Sequence, residues 1–205
     1  MFKLNRKWVI LLVSMLLLLL LGQVVAVKSE AFIKRNFKLI VAQDLLFYIL
    51  PQKNLSILTE LLMIFSALLF VVYVSQKKLI KWAPYYLFLY CIFIYTRSLF
   101  VIFTPLATPF TGDQFGILSN YLTLQGLFPS GHTSVPFMAF LYARYMKDYK
   151  FSVFFLILFI IMSLTMMISR GHYTIDIIGT IFISYTIVNV CDKHFKKYFD
   201  IEVLR

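Results

Sequence analysis

Charge is scarce in this chain, and acid is scarcer than base. Only 14% of the 205 residues are Asp, Glu, Lys or Arg, and 9 acidic residues stand against 20 basic ones. With 61% of the residues hydrophobic, the chain carries more apolar surface than a soluble core of this length can bury. A soluble globular protein is excluded and an integral membrane protein is expected. Cysteine is thin as well: Cys91 and Cys191 lie in or at the end of apolar runs, which shows neither a disulfide framework nor a metal-site spacing. No internal repeat, low-complexity linker or composition shift divides the chain, so residues 1–205 are expected to form a single domain. The net charge of +11 would suggest nucleic acid in a soluble protein. Here the basic residues cluster beside the apolar runs, as orientation in a membrane requires, and no nucleic-acid binding is expected.

What the chain has in quantity is long uncharged segments. Trp8 to Val27 is long enough to cross a hydrocarbon layer roughly 30 Å thick as a helix. Lys3, Arg6 and Lys7 before it resemble the n-region of a signal peptide, yet no small-x-small cleavage site follows, and the run reads as a first span. Further spans are predicted over Leu55 to Ser75, Pro84 to Phe103, Val135 to Met146 (starting earlier, near the PSGH turn), Phe151 to Ile168 and Ile175 to Cys191. The expected fold is an all-α integral membrane bundle of six transmembrane helices. Residues 28–53 do not fit as a span. There Phe37, Ile40, Val41, Leu45, Phe47, Tyr48 and Leu50 are interrupted by Gln43 and Asp44, which predicts an amphipathic interfacial segment near residues 30–50.

Basic residues near span ends set the orientation. Lys77, Lys78 and Lys81, then Arg144, Lys147 and Lys150, then Lys193, Lys196 and Lys197 all fall on the side of the N-terminus, so both termini are expected in the cytoplasm. Thr104 to Gln125 has no Lys or Arg and falls outside, together with the connection from Ser169 to Thr174. Lys28, Lys34, Arg35, Lys38 and Lys53 run against this scheme, because they too belong outside. The size of the chain and its lack of a targeting tail point to a bacterial inner or plasma membrane.

The chemistry-bearing residues gather in two short motifs, Phe128 to Pro136 (FPSGHTSVP) and Ser169 to Asp176 (SRGHYTID). Ionisable groups beside apolar helices mark a site unless they face a partner or cavity for another reason. His172 and Asp176 are four residues apart and share one face of a helix start, where the carboxylate can hold the imidazole and leave its second nitrogen free to attack. His132 follows Pro129, Ser130 and Gly131, a turn opening into a helix, whose amides and positive dipole end suit a phosphate. Arg170 can pair with phosphate oxygens. Arg97, mid-span, is either a further phosphate contact or a snorkelling side chain. His194, among lysines, reads as solvated or facing headgroups, Asp113 reads as a turn residue, and Tyr173 is placed at the border of an acyl-chain entrance.

These residues resemble the PAP2 (type 2 phosphatidic acid phosphatase) superfamily, which shares a PSGH motif and a later SR…H…D motif. The resemblance implies that His172 attacks phosphorus to give a phosphohistidine, that Asp176 supports it and that His132 protonates the leaving group. Two departures bear on the branch: no KxxxxxxRP motif precedes PSGH, and Gly171 alone separates Arg170 from His172. The string His172-Tyr173-Thr174-Ile175-Asp176 is similar to the HYTxD of the sphingomyelin synthase branch, as is Arg97 to Pro109, although that branch's aspartate before SGHT is missing.

The expectation is therefore a membrane-embedded lipid phosphoesterase or phosphotransferase. His172, Asp176 and His132 are its catalytic residues, and Arg170, Arg97, Ser130 and Gly131 hold the phosphate. The implied substrate is a lipid phosphoester, with a lipid hydroxyl as acceptor in the favoured, synthase-like reading and water in the phosphatase reading. No metal or other cofactor is expected. A non-catalytic headgroup-binding transporter or scaffold is the alternative of another class.

Overall fold

The computed structural model describes residues 6–76, 79–109 and 128–199. Lys3, Lys77, Lys78 and Asp113, and most of the predicted outside loop up to Gln125, lie outside the described residues, as do the side chains of Lys196 and Lys197. The described residues form α1 (Arg6–Asn36), α2 (Leu46–Ile49), α3 (Ser56–Gln76), α4 (Ala83–Phe103), α5 (Gly131–Tyr145), α6 (Tyr149–Ile168) and α7 (Thr174–His194). Short 3-10 turns, Leu79–Trp82 and Lys196–Phe199, precede α4 and follow α7. Among the described residues there is no strand, only an isolated bridge between Ile40 and Leu106.

Five of these helices are long and apolar enough to cross a membrane: α1, α3, α4 with its preceding turn, α6 and α7. Their outward faces carry exposed Leu17, Leu20, Leu61, Leu68, Ile157, Ile160 and Phe182, a surface that lipid tolerates and water does not. The chain is an all-α membrane protein. The count of six spans needs correction. The fourth predicted span is α5, with 15 residues, or roughly 22 Å at 1.5 Å per residue. It falls short of a hydrocarbon crossing because Ser130, fully buried, caps it inside the bundle rather than at the surface.

The first predicted span also changes. Helix α1 runs on past Val27 to Asn36, because Lys28, Glu30 and Lys34 are good helix formers and no Gly or Pro interrupts them. The segment expected near residues 30–50 is thus divided, its first part continuing α1. The chain leaves α1, crosses residues 37–45 without regular structure, and makes only the four-residue α2. Tertiary bonds replace helical ones here: Ile40 O accepts from Ala107 N at 3.0 Å, and Ala42 N donates to the Tyr173 hydroxyl at 2.9 Å. We refer to residues 37–50 as the strap.

Inside lipid there is no hydrophobic drive between helices, so close packing and internal hydrogen bonds must hold the bundle. Gly22 lets α1 lie against α4, since a Cβ there would meet Ile94 at 3.1 Å. Ser66, Ser98 and Ser163 each donate to the carbonyl four residues earlier in their own helix, which satisfies hydroxyls at membrane depth. One aromatic core, built on Phe70, Tyr73, Trp82, Tyr142 and Phe155, holds the end where the chain starts. Another, built on Phe137, Leu141, Phe159, Met167 and Ile177, joins α5, α6 and α7. These contacts aim the start of α5 and the start of α7 at each other.

Candidate active site

The first half of the site is the start of α5. Ser130 takes an extended conformation and its hydroxyl accepts from Thr133 N at 3.4 Å, an N-cap. The amides of Gly131 and His132, first in the helix, have no helical acceptor by position and sit at the positive dipole end. Arg97 lies against this turn, donating from Nε to Pro129 O at 3.1 Å. Gly131 makes the approach possible, since a Cβ there would stand 3.3 Å from Arg97 Nε.

Arg97 is buried and its Nη2 stands 3.6 Å from Oε1 of Glu30, also buried. Sequence reasoning missed Glu30. Its one signal was an acidic residue just past the first apolar run, in a stretch assigned to the membrane interface.

The second half is the turn between α6 and α7. Gly171 N donates to Met166 O at 2.9 Å and Arg170 N to Met167 O at 3.2 Å, the paired bonds of a Schellman motif. The residue with positive φ in such a cap is usually glycine, but here it is Arg170, at φ 58°. The strained backbone sends its side chain to the strap. Nη2 donates to Phe47 O at 2.6 Å and Leu50 O at 2.9 Å, and the guanidinium carbon lies 4.2 Å from the centre of the Phe47 ring. Nη1 is buried and has no hydrogen-bond partner among the described residues.

His172 and Asp176 meet as their spacing predicts. Nδ1 of the ring is 3.1 Å from Oδ2 of the carboxylate, and both side chains are buried, 5% and 0% exposed. Tyr173 N donates to the same oxygen at 2.8 Å, so the carboxylate has its own fixed orientation. Oδ1 of Asp176 has no partner among the described residues. The His132 and His172 rings meet edge to face, with 5.9 Å between their centres at 66°. Ser130 N donates to Asp176 O at 3.2 Å, and the Thr180 hydroxyl lies 3.0 Å from both Ser130 O and Asp176 O. Gly179 leaves space for Phe128, whose ring a Cβ there would strike.

The structure thus brings His132, His172, Asp176, Ser130, Gly131 and Arg97 into one cluster, with Arg170 beside it and turned toward the strap. Tyr173 does not border an entrance. It is buried, stacked on Phe47 at 5.8 Å, and its hydroxyl accepts from Ala42 N and donates to Ala107 O at 3.0 Å. Burial pushes this phenol above the usual tyrosine range, so it stays a neutral donor. Asp44 is a second residue missed: Oδ2 accepts from Thr174 N at 2.6 Å and Oδ1 from the Thr174 hydroxyl at 2.8 Å. Its only sequence signal was a polar interruption in an apolar stretch. His194 is exposed at the far end of α7.

The family model described as AtPDCT1/2 matches residues 37–193, a range that holds the strap and both motifs. The match is to that family and not to a PAP2 family. It corrects the superfamily resemblance drawn from PSGH and SR…H…D, together with the branch within it, which the missing KxxxxxxRP motif and the single residue between Arg170 and His172 had been used to choose. No curated protein and no solved structure matches the chain.

Proposed function

The chain belongs to the AtPDCT1/2 family of cholinephosphotransferase-like enzymes, and on that premise we propose that it moves a phosphocholine-type headgroup between lipids through a phosphohistidine on His172. The observation that carries this reading is the 3.1 Å contact of His172 Nδ1 with Asp176, beside the ring of His132. A neutral imidazole that donates a hydrogen bond from Nδ1–H to the carboxylate keeps a lone pair on Nε2 for attack.

In the first half, Nε2 attacks the phosphorus of a choline phospholipid. The bond from phosphorus to the glycerol oxygen breaks, and His132 delivers a proton to that oxygen, releasing diacylglycerol. In the second half, the hydroxyl of another diacylglycerol gives its proton to His132 and attacks phosphorus, and the phosphorus–nitrogen bond breaks. Charge on the phosphoryl oxygens is met by the Gly131 and His132 amides, Arg97 and the unpaired Nη1 of Arg170. The deep burial of Ser130, His172 and Asp176 supports a lipid hydroxyl over water as acceptor, because it limits the approach of solvent.

The orientation we propose puts this site on the extracytoplasmic side. Its support is that Arg6, Lys7, Lys81, Arg144, Lys147, Lys150 and Lys193 gather at the other end of the bundle, where Trp8 donates to Lys81 O at 3.1 Å and Tyr145 to Asp192 at 2.6 Å.

The test uses purified protein in mixed micelles with a choline phospholipid labelled in its headgroup and a diacylglycerol of distinct chain length, followed by mass analysis. Labelled headgroup on the new chains, absent with His172→Ala, is expected. Release of labelled phosphocholine instead would make water the acceptor, and transfer surviving in His172→Ala would reject the phosphohistidine.

A further inference from the structure

The strap is held to the nucleophile's turn at several points, and one of them is the Asp44 carboxyl group. Asp44 is buried and accepts three hydrogen bonds: Thr174 N at 2.6 Å, the Thr174 hydroxyl at 2.8 Å and Leu46 N at 3.0 Å. Thr174 is the first residue of α7, two positions after His172 and two before Asp176. Asp176 already caps the start of α7 through Tyr173 N, and the Asp44 carboxylate adds, from outside that segment, an acceptor for the next amide, Thr174 N, and complements the positive end of the helix. Around it, Phe47 stacks on Tyr173, the Phe47 and Leu50 carbonyls hold Arg170, and Lys53 N donates to Ile168 O at 3.1 Å. Arg170, Tyr173 and Thr174, on both sides of His172, are thus all held by the strap.

We propose that Asp44 is a positioning residue for headgroup transfer: by clamping Thr174 to the strap it sets the aim of the His172 ring. This rests on the reading of His172 as nucleophile. The side chain touches neither substrate nor reacting atoms. Its effect is on the fraction of time Nε2 points at phosphorus, so it acts on turnover rather than on lipid affinity, and small misplacement of a nucleophile has large consequences for rate.

The experiment compares Asp44→Asn, Thr174→Val and the double variant with Asp148→Asn, which alters the N-cap of α6 at the opposite end of the bundle. Asp44→Asn keeps shape but turns a donor toward Thr174. A fall in kcat of about 10- to 100-fold is expected, with KM for the donor phospholipid within about threefold. The double variant should lose little more than either single one, since both remove the same clamp. Asp148→Asn should stay within about twofold of the parent in kcat, by the weakness of remote surface changes.

A kcat for Asp44→Asn within that same twofold, a loss confined to KM, or an equal loss in Asp148→Asn would overturn the proposal. A second readout needs no turnover: the rate of carbethoxylation of His172 by diethyl pyrocarbonate, with exposed His194 as internal reference. The His172 to His194 ratio should rise several-fold in Asp44→Asn, by release of a group held by local bonds. If the parent protein transfers no headgroup, the functional reading fails, and an unchanged ratio then overturns the role of Asp44 on its own.

Discussion

The amide of Ser130 donates to the carbonyl of Asp176 across 3.2 Å, so the two polar motifs, far apart in the chain, share one backbone frame. The Thr180 hydroxyl is within 3.0 Å of the carbonyls on both sides of that bond. The distance between the His132 and His172 rings is thereby set by main chain rather than by flexible side chains.

Thr180→Val tests that frame. Removing a buried hydroxyl that serves two carbonyls should destabilise the protein by about 1–3 kcal/mol and lower kcat more than KM, while Thr180→Ser, which keeps the hydroxyl, should do neither. Thermal unfolding in detergent with parallel transfer assays reads both effects.

Asp176→Asn should be inactive at the level of turnover while the protein still folds. An amide in place of the carboxylate no longer selects the Nδ1-protonated ring, and a loss of about 10²-fold or more in kcat is expected from the wrong tautomer and lost charge. Steady-state kinetics on detergent-solubilised protein measure it.

His132→Ala separates acid catalysis from nucleophilic attack. With a natural phospholipid donor, kcat should fall about 10²- to 10⁴-fold. With a nitrophenyl phosphocholine donor, whose leaving group needs no proton, release of nitrophenolate in a single turnover should be largely retained. Equal losses on both donors would remove His132 from the acid role.

Glu30→Gln should weaken the support of Arg97 without touching the motifs. Leaving a buried guanidinium short of its ion pair costs about 3–5 kcal/mol when no other group compensates, so the melting temperature should drop. Arg97→Lys should not restore activity, because an ammonium does not reproduce the Nε bond to Pro129 O at 3.1 Å.

Lys147→Gly serves as the counterpart to Arg170. Both residues have positive φ, 57° and 58°, but Lys147 closes α5 at the far end of the bundle, where its side chain is exposed. Glycine there should stabilise the protein by about 0.5–1 kcal/mol with unchanged transfer, whereas Arg170→Gly relieves the same strain and should lose activity with the side chain.

The membrane class, most of the helices and the meeting of His172 with Asp176 were legible in local sequence. The long apolar runs marked α1, α3, α4, α6 and α7, because a lipid-facing helix needs little beyond length and hydrophobicity. The i, i+4 spacing of His172 and Asp176 marked their contact because helix geometry alone brings such residues together. Pro129, Ser130 and Gly131 marked a turn opening into a helix for the same local reason. The family was misjudged because PSGH and SR…H…D are two short strings, whereas the AtPDCT1/2 match extends over residues 37–193.

The sequence by itself determined that this chain carries the long apolar helices of a membrane protein, that its two polar motifs fall at the starts of two helices and that His172 meets Asp176, because each of these follows from composition or from neighbours within one helical turn. Only the tertiary structure decided the rest. It made α5 a short helix starting inside the bundle, opened residues 37–50 into a strap, paired Glu30 with Arg97, set Asp44 on Thr174 and bent Arg170 toward Phe47. Those outcomes depend on which groups meet across long stretches of chain. A buried polar group takes whichever partner the packing of the helices brings to it, and periodicity along the sequence carries no trace of that partner.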